Sequence, residues 1–458
     1  MIETKQTGDF TRGKIPAVIM GMAVPLIAAQ LVNVLYNIVD RIYIGHIPGI
    51  GARALTGVGV DLPLLTILAA FAGLFGQGGA PLFSIARGRG DTDEAGRIMG
   101  NSMTLLLVSS AVLGTLTRLT ARPVLMFLGA EESTIGYALD YLYVYLLGTP
   151  LVFVTLGMNP YVNAQGFARR GMMTVMLGAV TNIALDPVFI FVLGMGVKGA
   201  ALATVLSQVI SALWCTAFLC GKKAVLPLRL QNMRLRGRIV GRIVAMGVSN
   251  FMAQATNSVI QAVANRQLSL YGGSLYIGAM TIINALRTAI IQVVYGISMA
   301  VQPVLGYNYG AGERDRVLQS IRFAAAACVG FMLFFWGLLE LCPGVFAGIF
   351  TDEPELIAVT VPALRIYYCG IFLMAIQLVS QNIFQGLGRA KQAVFFSLFR
   401  KVIIEAPLMV VLPMWGLGAK GVFWSEPISD LVGGCAAFIT MLMTVYFPIR
   451  RQLREESL

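Results

Sequence analysis

Asp40 and Asp186 stand inside long apolar stretches of the sequence, where a lone carboxylate is costly unless it is paired, protonated or put to use. In the first stretch Gln30, Asn33, Asn37 and Asp40 recur at i, i+3, i+7 and i+10, one stripe of a helix, with Tyr36 beside it. In TNIALDPVFIF, Asn182 and Asp186 are four residues apart and share a helical face. Pro187 follows and lacks a backbone donor, which releases the carbonyl of Ile183 between those two side chains. Thr204, in the next apolar stretch, adds a hydroxyl. Such an oxygen-rich set suits protons or a hard monovalent cation, so Asp40, Asn182, Asp186 and Thr204 read as a cation-coupling site able to hold Na⁺. Two neighbouring carboxylates share protons, which is a physical basis for coupling. The alternative is packing alone, with Asp40 bound to Arg41 and Asp186 bridging helices, although Arg41 points about 100° away on the same helix. Pro25 precedes the polar stripe and is expected to let the first helix bend.

The elements that must hold these residues are membrane spans. Of 458 residues, 57% are hydrophobic and 12% charged, and a mean hydropathy of +0.77 excludes a soluble chain. Apolar runs recur at roughly the 20 residues a helix needs to cross a bilayer. Runs such as Met103 to Val112 and Phe323 to Leu339 lack the alternation of barrel strands. The expected fold is all-α and polytopic, with about twelve transmembrane helices near 15–45, 56–85, 98–117, 138–160, 171–194, 199–220, 243–271, 279–306, 323–342, 361–384, 394–415 and 421–447. The first run outlasts a signal-peptide core and is expected to remain as a span.

The net charge of +12 is concentrated in alternate loops, including the basic stretch from Lys222 to Arg242, while the opposite loops hold Arg53, Arg118, Arg122, Lys198 and Lys420. That distribution implies membrane insertion rather than nucleic-acid binding, and it places both termini of a multi-pass plasma-membrane protein in the cytoplasm. The six cysteines are scattered without CxxC spacing and read as packing residues.

Sliding the chain against itself by about 220 to 225 residues aligns local patterns, the mark of an internal repeat. Gln30 and Asn33 meet Gln254 and Asn257; QGFAR at Gln165 meets QGLGR at Gln385; GMGVKGA around Lys198 meets GLGAKGV around Lys420. The halves are therefore parallel repeats: an N-lobe of helices 1 to 6 over 1–221, a basic cytoplasmic linker over 222–242, and a C-lobe of helices 7 to 12 over 243–458. Something that crosses is expected to do so between the lobes. No acid of the second half aligns with Asp40 or Asp186, whose counterparts are about Ala264 and Ala406. Glu405 is expected to pair with Arg400 or Lys401, leaving the buried acidic pair to the first half.

Other chemistries find no constellation. His46 is the single histidine and can build neither a zinc site nor a triad. GYNYGAGERDR lacks the spacing of a phosphate loop. Neither an enzyme nor a resident cofactor is expected.

The first-span stripe, TNIALDP, the QGFAR and QGLGR repeats and QPVLGYNYGAG together resemble the MATE family of multidrug and toxic compound extrusion transporters, and the bacterial MepA-like branch within it. The resemblance covers essentially the whole chain. It implies two six-helix bundles in a V shape, alternating access, and export of lipophilic organic cations driven by H⁺ or Na⁺ in a bacterial plasma membrane. It implies small-molecule drugs and membrane lipids as partners and a monomeric state. Asn33, Tyr36, Asn37 and Asp40 look like the family's first-helix polar set, and Asn182, Asp186 and Thr204 like its N-lobe cation site. Gln30, Gln254, Asn257 and Arg287 join that set as candidate cavity residues. Where another branch places acids in helices 7 and 10, this chain has Gln254, Asn257, Gln261, Gln377, Gln381 and Asn382. A flippase for a lipid-linked saccharide is the alternative, kept open by Arg266, Arg287 and Arg400.

Overall fold

Backbone groups in lipid must bond within their own segment, and in the computed structural model every regular element of the described residues, 8–456, is a helix. The α-helices are α1 (Ile15–Gly45), α2 (Gly51–Gly88), α3 (Thr92–Phe127), α4 (Ile135–Ala164), α5 (Ala168–Pro187), α6 (Gly196–Cys220), α7 (Gly237–Tyr271), α8 (Gly273–Gly310) and α9 (Arg314–Leu341). They continue with α10 (Pro343–Gly348), α11 (Pro354–Tyr368), α12 (Ile371–Gly386), α13 (Ala390–Leu398), α14 (Ala406–Leu412), α15 (Ala419–Ser429), α16 (Cys435–Met441) and α17 (Phe447–Glu456). Nine helical stretches among the described residues are long and apolar enough to cross a membrane, and α11 with α12, bent by 45°, make a tenth. The amide-rich α7 and the charged stretch 390–412 complete the twelve. The bend lies inside the span expected at 361–384, and there Gly370 sits so close to Pro427 that a Cβ would fall 3.2 Å from the proline Cα.

Among the described residues five stretches carry π-type hydrogen bonds, Val188–Val192, Phe399–Glu405, Pro413–Leu417, Asp430–Gly434 and Leu442–Tyr446, the third of them kinked by non-helical Trp415 and Gly416. Each wider turn re-aims the side chains that follow it, and such turns gather at functional sites. Two of the five carry the buried charges Arg400, Lys401, Glu405 and Asp430.

The fold divides into two compact units. The first holds Val24–Gly247 with the described residues that end at Phe10; the second holds Thr11–Ala23 and the described residues from Val248. In the first, α2 packs on α3 and α4, and α6 on α4 and α5. Small residues allow this in lipid, where apolar burial drives nothing. The backbones of Gly76 on α2 and Gly157 on α4 touch, and a Cβ on Gly148 would lie 2.7 Å from Val205. The basic segment after α6 is fastened to the same unit. Asn101 Nδ2 donates to the carbonyls of Asn232 (3.2 Å) and Arg234 (3.1 Å), its Oδ1 accepts from the Arg236 amide (2.8 Å), and Thr104 donates to the Met233 carbonyl (2.6 Å). Gln165 of the QGFAR motif bonds Leu226 in both directions.

In the second unit α8 packs on α9, α11 and α12, α12 on α16 and the Asp430–Gly434 turn, and α14 on α15. The repeat is visible in local geometry. Gly194 and Gly196 take φ of +64° and +57° before α6, and Gly416 and Gly418 take +93° and +55° before α15, conformations that only glycine adopts readily. About three turns into each helix, the Ser207 hydroxyl donates to the Thr204 carbonyl (2.7 Å) and the Ser429 hydroxyl to the Glu426 carbonyl (2.9 Å). Six residues on from Lys198 and Lys420, then, Thr204 and Glu426 occupy corresponding places.

Candidate functional site

In the first unit α5 presents Asn182 and Asp186 to α6, which contributes Thr204. Asn182 Nδ2 donates to Asp186 Oδ1 and to Thr204 Oγ1, each at 3.3 Å. Asn182 and Asp186 are wholly buried, and Thr204 and Asp40 nearly so. Asp40 comes from α1 and is close enough to act electrostatically on Asp186, Tyr36 and Tyr141, while the hydroxyls of Tyr36 and Tyr141 converge on Thr204. Arg41 is exposed and leaves the Asp40 carboxylate with an unpartnered Oδ1. Asn182 Oδ1 and Asp186 Oδ2 likewise lack a hydrogen-bond donor. Three buried oxygens without donors, two of them on carboxylates, make a site that wants a proton or a hard cation. Next to it lies a buried apolar group, Ile44, Val58, Tyr141, Ile190 and Ala200 among others. Pro187 ends the regular winding of α5, and the Val188–Val192 π-turn follows. Among the described residues no three His, Cys, Asp or Glu side chains gather at metal-binding separation, so the carboxylates share this site with neutral oxygens.

The rest of the α1 stripe behaves differently. Gln30 and Tyr36 are half-buried, whereas Asn33 and Asn37 are exposed, with Asn37 Nδ2 donating to the Asn33 carbonyl (2.6 Å). Of the residues expected in the second half, Asn257 and Arg287 line a cavity of about 330 Å³. Gln254 is exposed and outside its wall.

That cavity belongs to the second unit and carries the main correction to the sequence reading. Buried acids are not confined to the first half. Glu405, Glu426 and Asp430 lie wholly or almost wholly inside the second unit, against Arg287 from α8 and Arg400 and Lys401 from the Phe399–Glu405 π-turn. Arg287 Nη2 donates to Glu426 Oε1 (2.9 Å); Arg400 Nη1 donates to Glu426 Oε1 (3.1 Å) and Asp430 Oδ1 (2.5 Å); Lys401 Nζ lies 2.8 Å from Glu405 Oε2. The Glu405 pairing follows expectation. Glu426 and Asp430 were missed, although SEPISD sets them four apart inside a span and so on one face. Each unit's position six residues past its GxGxKG-like turn thus differs in kind: a hydroxyl at Thr204, a carboxylate at Glu426 that is already occupied by side-chain cations. Asp61 of α2 was missed as well, and it is buried with neither oxygen bonded.

Comparison with known proteins bears on both units. The MatE family model matches the chain twice, over residues 25–188 and 250–411, one copy in each half. The multidrug export protein MepA of Staphylococcus haemolyticus is 23% identical over 456 residues, which take in 100% of this chain and 98% of that protein. A crystal structure of MATE in the bent conformation has a TM-score of 0.91 at 23% identity and covers 98% of this chain and 99% of its own. One in the straight conformation has a TM-score of 0.90 at 23% identity and covers 98% and 100%.

Proposed function

We propose that this chain, which belongs to the MATE family of transporters, exports drug-sized organic compounds, lipophilic cations first among them, in exchange for H⁺ or Na⁺. It is a multi-pass membrane protein and a transporter, not an enzyme. The observation that carries the antiport reading is the buried group Asp40, Asn182, Asp186 and Thr204 with its three donorless oxygens. A proton or Na⁺ satisfies those oxygens, so the state that keeps them together is favoured when the ion is bound. Differential affinity of two conformations for ion and drug links the two fluxes, which is all that alternating access of two lobes requires. We assign the conformational change to α1, because it carries Asp40 and holds Pro25, which removes one backbone bond from the helix. Orientation follows the charge distribution, with both termini cytoplasmic, and the protein acts as a monomer with 222–242 as the cytoplasmic connection between lobes.

Efflux of a fluorescent lipophilic cation from proteoliposomes, under a pH gradient and a sodium gradient imposed separately, tests this reading. Accumulation against the drug gradient is expected with at least one ion. Drug movement indifferent to both gradients would overturn it.

A further inference from the structure

The second unit holds a cavity whose charge arrangement the antiport reading does not use. Its wall is largely amide, with Asn257, Asn284, Gln292 and Gln381 among the lining side chains, and three cations, Arg287, Arg400 and Lys401, face it. The acids that partner those cations, Glu405, Glu426 and Asp430, stand behind them and contribute nothing to the wall. Since Coulomb energy falls with distance, a molecule in the cavity meets the cations first. A guanidinium offers five N–H donors in a fixed fork, and Arg287 Nε and Arg400 Nε are buried without a partner. Arg400 is 5% exposed, and a Cβ on Gly433 would lie 2.8 Å from its Cγ, so its stem is held rigidly. Amides on the remaining wall are already organised: Gln302 Nε2 donates to Asn382 (2.8 Å) and Gln385 (2.9 Å), and Gln385 Nε2 donates to Asn250 (3.0 Å). At about 330 Å³ the space is at the small end of those that hold drug-sized ligands.

We infer that the cavity of the second unit is an oxyanion site, which takes the carboxylate or phosphate group of an amphiphile whose polar body bonds the amide wall. Guanidinium groups match these oxyanions two bonds at a time, and Arg287, at the wall with its side chain 18% exposed, is the residue freest to turn forward. A lipophilic cation has no such partner there. The inference does not depend on which ion drives transport, or on any ion doing so.

Equilibrium binding to the full chain in nanodiscs of neutral phosphatidylcholine tests it, with no gradient applied. The probes are a fluorescent aryl carboxylate, its methyl ester and its quaternary-amine analogue, followed by anisotropy. The carboxylate is expected to bind at least tenfold more tightly than the other two. Arg287→Gln, which leaves Arg400 on Glu426 and Asp430, is expected to erase that preference, with its melting curve confirming a folded protein. In a second arm, discs containing phosphatidylglycerol distinguish a lipid source: anionic lipid that copurifies with the wild type and is lost in R287Q would establish the same site with a headgroup as its ligand. Equal binding of acid and ester, a preference for the quaternary amine, or neither probe nor anionic lipid retained would each overturn the inference.

Discussion

Replacing Glu426 by Gln keeps the side chain's shape and removes the charge at the centre of the second unit's ion cluster. Glu426 is 2% exposed; its Oε1 receives Arg287 at 2.9 Å and Arg400 at 3.1 Å, and its Oε2 lies 3.6 Å from Lys401. After the change three cations face only Glu405 and Asp430. Breaking a buried pair by deleting one partner costs about 3–5 kcal/mol, because the other charge is left uncompensated in a poor solvent. For a unit of this size each kcal/mol moves the melting midpoint by about 2–4 °C, so E426Q is expected to melt roughly 6–20 °C below the wild type. The control is Glu340→Gln, whose partner Arg365 is 3.4 Å away with side chains 36% and 54% exposed; a pair like that is worth about 0–1 kcal/mol. Scanning fluorimetry of the purified protein in detergent reads both. The double variant R287M/E426Q separates electrostatics from packing, since restored charge balance should make it lose less than the two single changes summed. A melting point for E426Q within about 2 °C of that for E340Q, or strict additivity in the double variant, would refute the reasoning.

Asp40→Asn and Asp186→Asn are each expected to abolish gradient-driven efflux in vesicles, and undiminished transport by both would remove the first-unit site from the mechanism. Thr204→Val leaves Asn182 Nδ2 bonded to Asp186 alone, and the N–H freed from the hydroxyl costs about 1–3 kcal/mol. That predicts a shift of roughly 5- to 150-fold in the driving-ion concentration for half-maximal transport, and an unchanged ion dependence would count against this assignment of the hydroxyl. Asn101→Leu removes the side-chain bonds that fasten Asn232, Arg234 and Arg236 to α3. Tryptic cleavage at Arg234 or Arg236 is then expected to quicken severalfold under native conditions, and equal rates would show that the segment is held by other means.

Much of the architecture was readable in the sequence because lipid leaves the backbone few choices. Long apolar runs must be helices, and spacing brings part of the first-unit site together: Asn182 and Asp186 share a face and Thr204 lies in the next span, whereas Asp40, in the first span, could be joined to them only by its chemistry and by the family resemblance. The exposure of Asn33 and Asn37 was not readable, since a stripe defines a face of α1 but not what covers that face. The second-unit cluster escaped for another reason. The repeat positions of Asp40 and Asp186 hold no acid in the second unit, which places its acids one residue off or in the last span, and its π-turns re-aim Arg400, Lys401 and Asp430. Ideal helical periodicity contains no sign of such turns.

The correspondence of Thr204 and Glu426 bears on how such a machine is geared. Under the proposed antiport, one copy of the fold takes its cation from solution; in the other Arg400 and Lys401 are cations the chain has built in and cannot release. That proposal leaves the number of ions moved per turnover to a single copy. The other copy is free to diverge toward cargo without altering the stoichiometry of energy conversion.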